Sequence, residues 1–264
     1  MLKFMKIVIF TAVFGEYRRV VGGFPCSWTL SKAVPSPPGW DFVYVLVTDK
    51  ATLDSNPALS VDPLWTICLF DHRETSPRMA ARRVKMVAYP DLLPPHDVSI
   101  WIDSNVSLCP DTCFHHFRSL PLESPLWTLT HPARTCTYHE IEHCYQKGFG
   151  DPMVFREQRR ALEDAGFPPS LGLAETRILG RHPTASVRLF NEAWWTWFTL
   201  LPGHHLRDQC AFVPALWTCS LIGPKGPTIP LVFEDDLKFI FRIQRQPKAR
   251  EEAAMKVRHK IKYK

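Results

Sequence analysis

Ser99-Ile100-Trp101-Ile102-Asp103-Ser104-Asn105-Val106 reads as a short strand that ends in an acidic tip. Ile100, Trp101 and Ile102 follow one another without a polar interruption, which suits a strand covered on both faces. Asp103 stands where the strand leaves the core, with Ser104 and Asn105 beside it. A carboxylate there is costly unless a cation meets it. A divalent metal carrying a phosphorylated ligand is the simplest such cation. An Asp that caps a turn is the plain alternative.

Upstream, the chain repeats the pattern of buried strand and polar strand end. Lys6–Val13 is a first strand that runs into Phe14-Gly15-Glu16-Tyr17, and Asp41–Val47 is a second that ends at Thr48-Asp49. Leu64–Phe70 reads as a third. Ligands of open α/β sheets bind off the carboxyl ends of strands, so Thr48 and Asp49 are placed to touch one. Ser76, followed by Pro77, starts a helix through Tyr89. On it Arg78, Arg82 and Lys85 share a face, with Arg83 nearby. Cations just ahead of an acidic strand tip suit a diphosphate between them; a solvated, surface-paired face is the alternative. The alternation of strand with loop or helix over the first ~105 residues is that of a doubly wound half.

Composition sets the frame. A chain of 264 residues, 45% hydrophobic and 22% charged, can bury a sizeable core. Its nine Trp and 17 Phe suit aromatic packing or a sugar-binding cleft. The net charge of +6 belongs to the end of the chain, where nine Lys and Arg after residue 241 face only Glu251 and Glu252. Such a basic tail is a solvated end or a contact for an anionic surface. The eight Cys make no C-x-x-C pair, which argues against a zinc ribbon and for unpaired thiols in a reducing compartment. Lys3 and Lys6 precede an apolar run too short and β-branched for a signal peptide. No stretch approaches the ~20 apolar residues of a membrane span.

The second half is less regular. Leu126–Thr130 is a strand, Asp151–Gly166 a charged helix closed by Gly166, and Leu171–Leu179 a glycine-containing loop that becomes a strand. Ser186–Leu200 is a helix whose Val187, Phe190, Trp194, Trp197 and Phe198 form a core stripe. His204–Phe212 opens another, with Asp208 favoured near its start by the helix dipole. Between these lies a literal H-E-x-x-H, His139-Glu140-Ile141-Glu142-His143. On a helix its two imidazoles would share a face and could hold zinc. The chain has 11 His and offers no obvious third ligand, so chance is the stronger reading.

Taken together and in order, these residues resemble a known family. They are Thr11-Ala12 with Gly15-Glu16-Tyr17, Thr48-Asp49, Ala81-Arg82-Arg83-x-Lys85, Trp101-Ile102-Asp103-Ser104-Asn105, His131-x-x-Arg134 and Glu140. Gly166-Phe167-Pro168, Gly172-Leu173-x-Glu175, Trp194-Trp195 and Arg207-Asp208-Gln209 continue the series. The set resembles the glycosyltransferase domain of the plant mucilage-pathway type and its bacterial relatives. That group is itself similar to the retaining family-8 nucleotide-sugar transferases of the GT-A fold.

The resemblance implies an α/β fold with a mixed, mostly parallel central sheet flanked by helices. It implies a GT-A-like domain over residues 1–241, with a nucleotide-binding half (1–105), an acceptor half (106–241) and a basic tail (242–264). Donor and nucleotide contacts would come from Thr11, Ala12, Gly15, Tyr17, Thr48, Asp49, Arg82, Arg83, Lys85, Asp103 and Ser104. His131, Arg134, Glu140 and Arg207 would line the sugar or acceptor side, and Asp208, Gln209 and Glu175 the reacting face. Asp103 and Asn105 take the place of the family's Asp-x-Asp ligands to Mn²⁺ or Mg²⁺. Asn105 brings a carbonyl oxygen but no charge, so assistance from Asp208, or a metal-independent site built on Arg82, Arg83 and Lys85, stays open. The expected activity is transfer of a hexosyl group from a nucleotide sugar of the UDP type to a glycan or other hydroxyl acceptor, with retention. No nucleic-acid partner is expected. The expected location is cytoplasmic, with peripheral membrane contact through the tail. A non-catalytic nucleotide- or glycan-binding relative, and a zinc hydrolase using His139-Glu140-x-x-His143, are the alternatives.

Overall fold

The computed structural model describes residues 4–15, 39–56, 65–72, 76–87, 92–104, 106–108, 117, 119–201, 207–223, 226–232, 236 and 240–243. The strands expected in the first half are present as β1 (Met5–Ala12), β2 (Trp40–Thr48), β3 (Trp65–Leu69) and β4 (Val98–Ile102). Between them lie α1 (Lys50–Ser55) and α2 (Pro77–Val87), the latter capped by Ser76 Oγ, which accepts from Met79 N at 3.3 Å. After β4 come β5 (Val106–Leu108), β6 (Leu126–Thr130), α3 (Thr137–Gln146), α4 (Pro152–Asp164) and β7 (Ala174–Arg181). The chain continues through α5 (Ala185–Phe198), α6 (Asp208–Thr218), β8 (Ile222–Gly223), β9 (Gly226–Pro227), β10 (Leu231–Val232) and β11 (Phe241–Ile243).

Seven strands form the central sheet in the order β10-β6-β7-β4-β1-β2-β3. All run parallel except β7, which pairs antiparallel with β4 on one side and β6 on the other. This is the mixed, mostly parallel sheet flanked by helices that the sequence leads one to expect. All five residues of β4 are buried, as its unbroken apolar run requires.

Alternation along β1 divides the interior in two. Val8 and Phe10 join Met79, Val84, Trp101, Phe190, Trp194 and Phe212 on one side of the sheet. Ile7 and Ile9 join Ile100, Ile102, Phe117, Trp127 and Ile178 on the other. Trp127 fits because Gly180 faces it: a Cβ at position 180 would fall 2.0 Å from the indole. Helices α2, α5 and α6 pack on the first side, and this carries the starts of α2 and α6 to the carboxyl edge of the parallel strands. Among the described residues no helix is long and apolar enough to cross a membrane. Most of the basic tail, residues 244–264, lies outside the described residues.

Candidate active site

Four elements converge at the carboxyl edge. β4 ends at Asp103, whose backbone N–H bonds Arg177 O at 2.8 Å and so ties the strand tip to the start of antiparallel β7. α2 passes behind it with Lys85, and α6 begins there with Asp208. Lys85 is 0% exposed, and its ammonium donates to Asp103 Oδ1 at 3.0 Å, Thr176 Oγ1 at 3.1 Å and Asp208 Oδ2 at 2.6 Å. An ammonium has three protons, so all are committed. Asp208 Oδ2 also accepts from Thr176 Oγ1 at 2.8 Å and pairs with the Arg82 guanidinium. Asp103 Oδ1 takes a second bond, from Trp101 Nε1 at 2.8 Å. Trp194 Nε1 fixes the first turn of α6 by donating to Asp208 O at 2.9 Å.

Among the described residues, Lys85 supplies a cation to Asp103. The sequence pointed to a metal or a diphosphate between α2 and the strand tip; the structure places Lys85 directly between Asp103 and Asp208. Burial works to raise the Asp208 carboxyl, but the Arg82 and Lys85 charges and the hydrogen bonds from Lys85 and Thr176 override it. The carboxyl is held well below the usual carboxylate range and stays ionised. Arg83, on the same helix, lies over the Trp195 ring at 5.8 Å.

A second cluster flanks the start of α6. Arg134 pairs with buried Glu140, and the backbone N–H groups of Ala133 and Arg134 donate to His131 Nδ1 at 3.2 and 3.0 Å. Burial lowers the His131 pKa; Glu140 opposes that, while Arg134, Arg207 and Arg177 reinforce it. His131 is thus a neutral acceptor at Nδ1 at neutral pH. Arg207 stacks on Phe149 at 4.9 Å. Arg177 pairs with Glu175 through Oε1, leaving Glu175 Oε2 buried without a hydrogen-bond partner among the described residues. Gln209 Oε1 is in the same condition. Buried orphan acceptors cost about 1–3 kcal/mol each and call for an explanation.

The residues expected around the base and ribose sit at the ends of β1 and β2. Thr11, Ala12 and Thr48 are buried, and the hydroxyls of Thr11 and Thr48 have no partner among the described residues. Asp49 caps α1 by accepting from Thr52 N at 2.6 Å and meets His72 Nε2 at 3.1 Å. Burial raises the Asp49 pKa and the bonds from Thr52 and His72 lower it, with a net shift downward. Gly15 has φ +57° and packs against Pro77, where a Cβ would meet Cγ at 2.7 Å. Ser104 is described at the strand tip, whereas Tyr17 and Asn105 lie outside the described residues.

Thr176, Trp101 and Trp194 belong to the cluster at the carboxyl edge but were not singled out in sequence as site residues. Trp194 was legible in the α5 core stripe and in the Trp194-Trp195 pair, but its bond to Asp208 O was not, because a donor aimed at a backbone carbonyl of another helix leaves no periodic signal.

The described residues do not build a metal cage. Among them no three His, Cys, Asp or Glu side chains converge, and the bonded oxygens of Asp103 and Asp208 are occupied by nitrogen and hydroxyl donors. The H-E-x-x-H does lie on a helix, α3, but it assembles no zinc site among the described residues. Glu140 turns inward to Arg134 and Cys144, while His139 is exposed and His143 lies against Phe149 at 6.1 Å. His139 instead lines a cleft of about 700 Å³ with Tyr138, Glu142, Arg159 and Phe167, on the face formed by α3 and α4.

No protein-family model and no curated protein matches the chain. Among solved structures, it is similar to mouse xyloside xylosyltransferase 1 in its apo form, at 12% identity over 87% of this chain and 84% of that one, with a TM-score of 0.45. It is also similar to the galactosyltransferase LgtC in complex with donor and acceptor sugar analogues, at 9% identity over 80% and 70%, with a TM-score of 0.42.

Proposed function

We propose that the protein is a nucleotide-sugar glycosyltransferase, which moves a hexosyl group from a UDP-type donor to a hydroxyl acceptor with retention. The reading is carried by one observation: an ionised Asp208 held between Arg82 and Lys85 at the carboxyl edge of the sheet, where ligands of such sheets bind. Breaking the bond to a nucleoside diphosphate leaves negative charge on the phosphate and positive charge on the sugar carbon. Arg82 and Arg83 meet the first charge and the Asp208 carboxylate meets the second. Because Asp208 stays ionised it serves as a fixed negative charge, not as a proton donor. Lys85, with all three protons engaged, is a positioning residue that sets the distance between Asp103 and Asp208.

In this reading Thr11 and Thr48 lie beneath the nucleotide, with Gly15 and Asp49 at its rim. The orphan oxygens of Glu175 and Gln209 accept from sugar hydroxyls, and His131, Arg134, Glu140 and Arg207 border the acceptor. Lys85 pairs with Asp103 and Asp208, Arg82 with Asp208 and Arg177 with Glu175.

The test is a thermal-shift screen of UDP, GDP and CDP with and without Mn²⁺, followed by turnover of the corresponding sugar nucleotides. A ligand that binds only the folded state raises its melting temperature by mass action. We expect stabilisation by UDP that is lost in Asp103→Ala and persists without Mn²⁺. Stabilisation without turnover on any sugar nucleotide would assign a non-catalytic binding protein instead. No response to any nucleotide would end the reading.

A further inference from the structure

Arg181 sits at the far end of β7, beside Ser99 on β4, and is 1% exposed. It lies about four residues of strand, or ~13 Å, from the level of Asp103. Its Nη1 donates to Met86 O at 3.3 Å and Asn191 Oδ1 at 3.0 Å, and the guanidinium stands over the Phe10 ring at 5.7 Å. Its Nε and Nη2 are buried and have no partner among the described residues. These two nitrogens are the side of the guanidinium that offers parallel N–H bonds to a pair of oxygens. Burial pulls the Arg181 pKa down to about 9, which leaves the group charged at neutral pH.

Arg181 lines a cavity of about 50 Å³ between β4, β7 and the first turns of α5. His96, Ser99, His182, Arg188 and Asn191 share the lining, and no Asp or Glu is among it. His96 Nδ1 is committed to Pro94 O at 2.8 Å and His182 Nε2 to Leu122 O at 2.6 Å. Asp97, the carboxylate next to His96, accepts from Lys6 N at 2.9 Å and does not line the cavity. Helix α5, capped by Thr184, adds the positive end of its dipole. Pro183 and Arg188 are exposed, so the cavity reaches the surface beside them. A buried cation without an opposing charge is strongly unfavourable, and among the described residues no carboxylate lines the cavity to supply one.

We propose that this cavity binds a small oxyanion, of the phosphate or carboxylate class, on the Nε–Nη2 side of Arg181. The bound oxyanion joins α2 (through Met86), β4, β7 and α5 at the end of the sheet opposite the carboxyl-edge cluster.

The experiment is a melting series of the full chain at fixed ionic strength, with inorganic phosphate replacing chloride. Acetate in a parallel series distinguishes a carboxylate from a phosphate occupant. We expect a saturable rise of about 5 °C at high occupancy. Arg181→Met should lose this response and keep the response to UDP. Asn191→Asp places a carboxylate beside the guanidinium, so it should melt higher without phosphate and no longer respond to it. That variant settles the matter if Arg181→Met does not fold. A rise that never saturates, or one unchanged in Asn191→Asp, would overturn the proposal. So would a phosphate response that survives in Arg181→Met and is competed by UDP, since the phosphate would then sit at the carboxyl edge.

Discussion

Lys85 holds two carboxylates that would otherwise repel one another in a poorly hydrated place. Removing one partner of a buried ion pair costs about 3–5 kcal/mol, because the charges left behind lose their compensation. Lys85→Met should therefore lower the unfolding free energy by about that amount, read from urea denaturation. A loss below about 1 kcal/mol would show that Asp103 and Asp208 are hydrated and not held by Lys85. Asp208 also gives stability a defined pH dependence. Its folded pKa lies below its unfolded value of about 3.9, so its contribution is complete above that value and is lost as pH falls beneath it. Urea midpoints measured from pH 7 to pH 2 should fall less steeply below about pH 4 in Asp208→Asn than in the wild type; parallel curves would refute the assignment. At this scale the sequence displayed the charged residues but not their partners. Asp103 demanded a cation and Lys85 was visible on the next helix upstream, yet neither Thr176 nor Asp208 could be joined to them by spacing along the chain.

At the scale of elements, the buried parallel strands were the most legible part. Continuous apolar runs with polar ends mark β1, β2 and β4, and Ser76 with Pro77 marks α2. The place of β7 was not legible. Its sequence shows a strand, but only tertiary pairing inserts it antiparallel between β4 and β6 and brings Thr176 and Arg177 to the carboxyl edge. The β6–β7 pair depends on Gly180, whose missing Cβ makes room for Trp127. Gly180→Ala should destabilise by about 3 kcal/mol, the upper range for overpacking, and Trp127→Leu in the same chain should restore part of it. An alanine tolerated without loss would mean that the indole has another place to go.

For the whole molecule, the sequence separates residues 1–105 from the remainder more cleanly than the structure does. The seven-stranded sheet runs across both, and β7 covers the side of β4 that residues 1–105 leave open. A chain cut after residue 105 would lose the partners of Lys85 on β7 and α6 and would expose an apolar strand edge. It should show no cooperative melting by circular dichroism, whereas the full chain should melt in a cooperative transition. An independently melting fragment would show that the half-sheet suffices.

The bond between Trp101 Nε1 and Asp103 Oδ1 has an optical consequence. The indole donates to a carboxylate while the Lys85 ammonium stands 5.8 Å from its ring. Its excited state is therefore polarised by one fixed anion and one fixed cation. Any ligand that draws either charge away changes the local field on the chromophore. The difference spectrum between the wild type and Trp101→Phe thus isolates an intrinsic emission signal for events at the strand tip, with no label attached.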